Sequence, residues 1–475
     1  RSAAIRIPVT PKEAVKAKET ILATDEDREG EAIAWHLAQV LNLKNPQRIV
    51  FHEITKSAIE EALKNPRTID ANRVNAQQGR RILDRLVGYE LSPFLWQKVA
   101  KRLSAGRVQS VAVRLIADRE KEILAFVPQE YWSVEALLQR RGTTLNNTQN
   151  LAEEFLAQLV KEDGKPIGKL NIKSKEKADE ILKDLDGAEY KVTSIEKKEV
   201  KRNPMPPFTT STLQQTTSQR LHFSAKLTMS IAQQLYEMGF ITYHRTDSLN
   251  LSESSKVAAK EYISKEYGKE YWPGFSRNFK TKSKLAQEAH EAIRSTDLSQ
   301  STDKLTPQQK KLYDLIFRRF LASQMSQAAF DSTAVDIVAK NYVFHATGQI
   351  LRFDGFLKVY PIKFTETELP ALKQNEILKL KELVPSQHFT ESLPRYTEAT
   401  LVKALEEYGI GRPSTYAPTL STIQDRGYIE KDEQKRFYPT DLGNTVNDML
   451  VTHFPTIVDI AFTAHMEQQL DNVAK

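Results

Sequence analysis

The stretch Ile21-Leu22-Ala23-Thr24-Asp25-Glu26-Asp27-Arg28-Glu29-Gly30 decides how the chain is read. An apolar triplet runs directly into an acidic loop, and behind it Ile33, Leu37 and Leu41 recur at i, i+4, i+8. That order predicts a strand, a loop at its C-terminal end and a helix whose apolar stripe lies against a sheet, a fragment of an α/β domain. Open α/β sheets place ligands at this end of a strand. Asp25, Asp27 and Glu29 stand at i, i+2, i+4, so an extended or turning backbone would gather three carboxylates on one side. Such a cluster repels itself unless a cation sits in it, and hard oxygen donors suit Mg²⁺. The same residues also suit a solvated helix start, where the helix dipole favours acids.

Working outward, 475 residues are too many for one core and predict about three to five structural units. The net charge of +7 suggests a polyanionic partner. The absence of Cys excludes disulfides, a thiolate nucleophile and a Cys-type zinc ribbon, which leaves oxygen or imidazole ligands for any metal. No run approaches the roughly 18 apolar residues of a membrane span and no secretory signal opens the chain, so no membrane role and a cytoplasmic address are expected. Neither Gly-Lys-Ser/Thr nor Gly-x-Ser-x-Gly occurs, so nothing indicates ATP use.

Between Ser57 and Leu124 the apolar spacing is helical, as in Ile82, Leu83, Leu86 and Val87, and then in Val108, Val111, Ala112 and Leu115. From Tyr131 to about Val200, and again from about Ala328 to Leu380, apolar and polar residues alternate, which predicts one β-rich unit interrupted by an insert. The insert opens after the proline cluster Asn203-Pro204-Met205-Pro206-Pro207, and a helical segment follows Tyr396. An offset of 188 residues lays Thr212-Leu213 on Thr400-Leu401, Leu235 on Ile423 and Gly239-Phe240-Ile241 on Gly427-Tyr428-Ile429. Both copies read helix, turn, helix, Gly stop, short strand, the order of a winged helix-turn-helix. Chance similarity of two amphipathic hairpins is the alternative. Lys431 falls where the first copy has Tyr243, so a tyrosine chemistry would belong to the first copy alone.

Several constellations carry chemical meaning. Gly79-Arg80-Arg81 with Asp84 offers a carboxylate-held guanidinium for a phosphate, or a plain surface ion pair. Ser104-Ala105-Gly106-Arg107-Val108-Gln109-Ser110 opens a helix on which Arg107, Ser110 and Arg114 share a face, which suits a small anion. In Ile241-Thr242-Tyr243-His244-Arg245-Thr246-Asp247-Ser248, an extended backbone points Tyr243 and Arg245 the same way. A phenol is a poor nucleophile at neutral pH, and a neighbouring guanidinium would favour its phenolate and clamp a phosphodiester. Glu237, in the last turn of the preceding helix, could approach the same place. Ala289-His290-Glu291-Ala292-Ile293-Arg294 is not a zinc-protease motif, since Arg294 stands where a second His would be needed; His290 remains a phosphate donor or proton relay, or a core His. His36 and His52 have no nameable partners, and Arg141 to Leu151 has no functional reading.

Together with Phe51-His52-Glu53-Ile54-Thr55 and Gly409-Ile410-Gly411-Arg412-Pro413-Ser414-Thr415-Tyr416, these motifs resemble, in order from residue 23 to 416, the type IA DNA topoisomerases, most closely the bacterial topoisomerase I class. The resemblance implies a toroid of mixed α/β, α and β units. Its parts would be a Toprim domain over 1–68, a helical DNA-binding domain over 69–130 and 396–475 with winged-helix-like modules, a β-rich arch over 131–203 and 331–395, and an inserted helical domain over 204–330 that bears the nucleophile. It implies ATP-independent relaxation of negatively supercoiled DNA through a 5′-phosphotyrosine, by a monomer near the nucleoid. Tyr243 would be the nucleophile and Arg245 its phosphate partner, with Glu237, His290, Arg81 and Asp84 in support. Asp25, Asp27 and Glu29 would hold Mg²⁺, without zinc. Arg28, Arg80, Ser104, Arg107, Gln109, Ser110, Arg114, Thr246, Asp247, Arg294, Arg412, Ser414, Thr415 and Tyr416 would meet single-stranded DNA. Family members begin with a strand and a Glu-Ser-Pro-Ala-Lys-Ala type motif, and many end in zinc ribbons. Neither stands here, so a core fragment with a partial Toprim domain is expected. Two other readings are a cleavage-impaired single-strand binder and the topoisomerase half of a reverse gyrase.

Overall fold

The computed structural model describes residues 14, 17–140, 154–280 and 291–474. His290 and the 141–151 segment lie outside the described residues.

Strand β1 (Ile21–Leu22) pairs in parallel with β2 (Gln47–Arg48), and helix α1 (Arg28–Val40) joins them. Asp27 caps α1, its Oδ1 accepting the Gly30 N–H at 2.8 Å. The expected stripe is corrected: Ile33 is 40% exposed, and Ala34 and Ala38 form the buried face with Leu37 beside them. The face that packs on Leu22 is made of the small side chains Ala34 and Ala38, and the helix start packs close on the loop, where a Cβ on Gly30 would stand 2.0 Å from the Asp25 carbonyl oxygen. Glu31 is fully buried and accepts from Arg48 Nε at 2.8 Å, from Arg67 at 2.7 Å and from the Asp70 N–H at 2.7 Å. Arg48 reaches on to the carbonyls of Thr24 at 3.0 Å and Asp25 at 2.6 Å. A buried ion pair is costly to assemble and costlier to break; here it fixes the backbone of the acidic loop.

Helices α2 (Lys56–Lys64), α3 (Ala71–Lys98) and α4 (Arg107–Ala125) follow. Leu91 and Leu95 of α3 and Val111, Ala112, Leu115 and Ile116 of α4 are buried in one core. Ile82 and Leu86 instead face outward, more than half exposed.

The two alternating segments build a single sheet from β3 (Glu130–Arg140), β4 (Glu154–Glu162), β6 (Tyr190–Arg202), β7 (Ala328–Ala339), β8 (Tyr342–Phe353) and β9 (Ile377–Phe389), with the short β5 (Lys165–Pro166) beside β4. Because β3 pairs with both β9 and β4, the six long strands close into an antiparallel barrel, and closure removes the unpaired edges an open sheet would expose. Ala136, Leu138, Phe155, Ala157, Val192, Ile337 and Phe344 fill it, with Ala178 and Ile181 of α5 (Lys175–Asp184) in the same core.

Arg202 at the end of β6 lies opposite Ala328 at the start of β7, so residues 203–327 leave and re-enter the barrel at adjoining points. They hold α6 (Thr210–Arg220), α7 (Ala225–Glu237), α8 (Glu253–Glu266) and α9 (Pro307–Gln324) around a core of Leu213, Ile231, Leu235, Leu312, Ile316 and Phe320. The last segment holds α10 (Glu398–Glu407), α11 (Tyr416–Asp425), the hairpin of β10 (Ile429–Lys431) and β11 (Phe437–Pro439), α12 (Asp441–His453) and α13 (Ile460–Val473). The helices of the two repeat copies dock on their counterparts, α6 on α10 and α7 on α11. The insert also touches the edge of the first unit, where the Tyr243 N–H donates to the His52 carbonyl at 2.7 Å. The path therefore closes into a ring. Among the described residues no helix is long and apolar enough to cross a membrane.

Candidate active site

Helix α7 ends at Gly239, whose φ of 76° needs a residue without Cβ. The chain then wedges between two neighbours. Ile241 bridges to Ser295, and the Thr242 N–H donates to the Arg294 carbonyl at 2.9 Å. Tyr243 is 1% exposed, with its ring edge-on to Tyr236 and His244. Its hydroxyl donates to Asp27 Oδ2 at 2.6 Å, and Arg245 Nη1 stands 3.9 Å from the same oxygen. Tyrosine and arginine thus converge on one carboxylate of the acidic loop. Burial first, then the charges of Asp27 and Asp25, hold the phenol far above its ordinary range, against the opposing pull of Arg245.

Asp25 is raised by desolvation and then by Asp27, with Glu237 adding to this and Arg245 and Arg48 opposing it. Glu237 therefore acts on this site through its charge, while its Oε1 accepts from Gln233 at 2.9 Å. Glu29 is raised by burial and by Asp27, and its Oε1 accepts from Ser414 at 3.2 Å. The expected convergence of three carboxylates is not met: among the described residues no group of three acids or histidines is arranged to hold a metal. The reason is that Asp27 spends one oxygen on the cap of α1 and the other on Tyr243, and Glu29 turns to Ser414. The donors still fit a hydrated hard cation. Asp25 and Asp27 repel each other, and Mg²⁺ commonly takes one or two carboxylates, keeps several waters and finds its other ligands on a substrate phosphate.

Beside Tyr243 a cleft is lined by Asp27, Arg28, Glu29, Gln77, Arg80, Arg245, Asp247, Arg412 and Ser414. Asp247 is raised by burial, with Arg412 opposing. Of the Arg80-Arg81 pair it is Arg80 that lines this cleft. Arg80 bonds Glu467 rather than Asp84, and Arg81 is exposed on α3. Asp84 pairs with Arg107, whose Nε donates at 3.1 Å. The expected anion site at the start of α4 is closed, because Arg107 is 2% exposed and its Nη2 also meets Glu467 at 2.9 Å. Gln109 and Ser110 line a small recess with Tyr428 and Asn447, and the backbone N–H of Ser104 donates to the Tyr428 hydroxyl at 2.9 Å. Arg114 donates to the Val458 carbonyl at 2.8 Å. Thr246 exchanges hydrogen bonds with Thr210, Thr415 caps its own turn at the Arg412 N–H, and Tyr416 is buried in the helical core. Arg294, 5% exposed, joins Glu291 and Glu53. These side chains are engaged in internal contacts and do not line the cleft beside Tyr243.

Sequence reasoning missed Glu467 and Asp471 of α13, which gather Arg28, Arg80, Arg107 and Arg412. Their i, i+4 spacing was the available signal. It also missed His52, which pairs with Glu26, and the exposed face of α3 where Tyr89, 71% exposed, follows Ile82 and Leu86.

A family model described as DNA topoisomerase matches residues 68–475, and one described as Toprim domain matches residues 2–54. The chain belongs to the type IA DNA topoisomerases. Within that family it is similar to the structure of full-length topoisomerase I from Thermotoga maritima, with 40% identity, a TM-score of 0.83, and 98% of this chain and 76% of that chain covered. The topoisomerase is thus of the bacterial topoisomerase I kind, its helices and large antiparallel sheet arranged as the family toroid. A family of this kind changes DNA topology and binds DNA, and a Toprim domain goes with a divalent metal.

Proposed function

We propose that this topoisomerase relaxes negatively supercoiled DNA by cutting and resealing one strand, with Tyr243 as nucleophile and without ATP. The observation that carries the reading is the 2.6 Å hydrogen bond from Tyr243 to Asp27, which joins the inserted unit to the acidic loop across 216 residues of sequence. Tyr243 Oη gives up its proton and attacks phosphorus, the P–O3′ bond breaks, and the 3′ oxygen takes a proton from solvent and leaves as a hydroxyl. The 5′ phosphate stays on the tyrosine. Religation reverses each step, so one ester replaces another and supercoil strain alone drives the net change. Asp27 lies within reach to take the phenolic proton. Arg245 stabilises charge on the phosphate, and Glu237 and His290 are assigned supporting roles. A Mg²⁺ ion held by Asp25 and Asp27 would supply neutralisation of these carboxylates and of the phosphate.

Arg28, Arg80 and Arg412 suit phosphates of the cut strand, and the outward face of α3, with Arg81, Arg85 and Tyr89, suits stacked single-stranded bases. Residues 1–68 are assigned as the Toprim unit, 69–130 with 396–475 as the DNA-gripping unit, 131–203 with 331–395 as the arch, and 204–330 as the moving part. The enzyme is taken to act as a monomer in the cytoplasm, at the nucleoid.

The test is an oligonucleotide labelled at its 3′ end, incubated with Mg²⁺ and quenched in detergent. Wild type is expected to retain the label covalently and Tyr243→Phe to release it. An adduct that persists in Tyr243→Phe, or no wild-type adduct despite a gel shift, overturns the reading.

A further inference from the structure

We infer that Asp471 and Glu467 are positioning residues that aim the arginines of the cleft at the phosphodiester beside Tyr243. The inference rests on the reading of Tyr243 as nucleophile. Both acids lie one turn apart on α13 and are buried, Asp471 at 4% exposure and Glu467 at 0%. Asp471 Oδ1 accepts from Arg28 Nη1 at 2.6 Å, and its Oδ2 accepts from Arg412 Nε at 3.1 Å. Glu467 meets Arg80, accepts from Arg107 at 2.9 Å and stands 3.7 Å from Arg412. Four guanidinium groups, from the start of α1, from α3, from the start of α4 and from the turn before α11, thus converge on two carboxylates.

Around the cleft itself Arg28, Arg80, Arg245 and Arg412 alternate with Asp27, Glu29, Asp247 and Asp471, so the acids hold the guanidinium groups in place at the cleft wall. Arg28 Nε is buried without a hydrogen-bond partner among the described residues, so its fork is not saturated by the acid that holds it. Two of the arginines, Arg28 and Arg412, are one step from the reacting groups. Arg28 follows Asp27, which accepts the Tyr243 hydroxyl. Arg412 precedes Ser414 by two residues, and Ser414 donates to Glu29. Helix α13 therefore ties the acidic loop to the 409–415 turn and presents both arginines from one rigid surface, as a planar fork needs in order to meet phosphate in a fixed geometry. A misplacement of about 1 Å at such a site costs on the order of 100-fold in rate.

The experiment measures single-turnover cleavage of one oligonucleotide by wild type, Asp471→Asn, Asp471→Glu and Arg28→Lys, with its Kd measured in the Tyr243→Phe background. Asp471→Asn is expected to slow cleavage at least ~10-fold with Kd moved less than about 3-fold, and Asp471→Glu to recover most of the rate. Cleavage within about 3-fold of wild type by folded Asp471→Asn overturns the positioning role alone. So does a rate loss that tracks an equal loss of Kd. If Asp471→Asn does not fold, Arg28→Lys decides, since it keeps the charge and loses the fork: slowed cleavage at preserved Kd supports the role, and unchanged cleavage overturns it. Absence of a Tyr243-dependent adduct in wild type instead overturns the underlying reading.

Discussion

His244 follows Tyr243, is 2% exposed, and leaves Nδ1 without a hydrogen-bond partner among the described residues. Burial first and Arg245 second lower its pKa from 6.5 to about 3. The folded state thus refuses a proton that the unfolded chain accepts below its ordinary pKa. Stability linked to this residue is complete above that pKa and is lost as pH falls toward the folded value, by about 2 kcal/mol between pH 7 and pH 5. Urea unfolding of wild type and His244→Phe at pH 7, 6 and 5 checks this: the variant is expected to lack that share of the acid slope, and parallel slopes would falsify the assignment. At this scale the sequence was legible in patches. Tyr243 and Arg245 could be placed on one side from their spacing alone, and they do meet the same oxygen. Asp27 as their shared partner could not, because spacing says nothing about contacts between distant segments. Glu467 and Asp471 look like a solvated helix pair until their arginines, 443 residues away in the case of Arg28, fold onto them.

Two helical hairpins dock on each other at the level of elements, and each is cut the same way. Thr209 and Thr397 both cap their helices with a reciprocal box to a threonine three residues on, and the glycines that end the second helices, Gly239 and Gly427, both have positive φ. The 188-residue offset predicts this kinship. What it could not show is that the copies face each other, because docking depends on residues where they differ. Glu398, which corresponds to Thr210, places Oε2 on the Ala225 N–H at the start of α7 at 2.7 Å and Oε1 on Lys431 at 2.6 Å. Ser211 donates to Glu406 at 2.7 Å alongside. A charged acceptor at a helix N-terminus gains from both hydrogen bond and dipole. Glu398→Gln is expected to weaken the joint by about 1 to 2 kcal/mol, read as roughly tenfold faster amide exchange in the 225–237 peptide with α12 unchanged. Equal exchange in both proteins would show that packing, not Glu398, holds the hairpins together. The strands tell a similar story. Alternation marked both halves of the barrel, but its closure rests on β3 pairing with both β4 and β9, which periodicity cannot encode.

At the scale of the whole molecule, the ring is shut where the insert meets residues 52–54, and Gly239 sits at that seam. A Cβ on Gly239 would stand 2.6 Å from the Ile54 carbonyl oxygen. Arg294 reaches Glu53 at 3.0 Å and Tyr243 holds the His52 carbonyl on either side of it. Gly427, its counterpart in the second copy, has nearly the same φ of 68° but nothing within 4 Å of a built Cβ. The pair separates backbone strain from ring closure. Ala at either position bears the cost of a positive φ, about 1 kcal/mol, while Gly239→Ala also drives a methyl into backbone and adds about 1 to 3 kcal/mol. Because that second cost falls on the seam, it is expected to be relieved there, by the 239–243 segment shifting off residues 52–54, which carries Tyr243 from Asp27. Gly239→Ala is therefore expected to lose the covalent adduct while still binding single-stranded DNA, and Gly427→Ala to keep the adduct with a small drop in thermal stability. Equal behaviour of the two variants would mean that the strain of a left-handed residue explains both, and that the contact at Ile54 has no share in holding the ring closed.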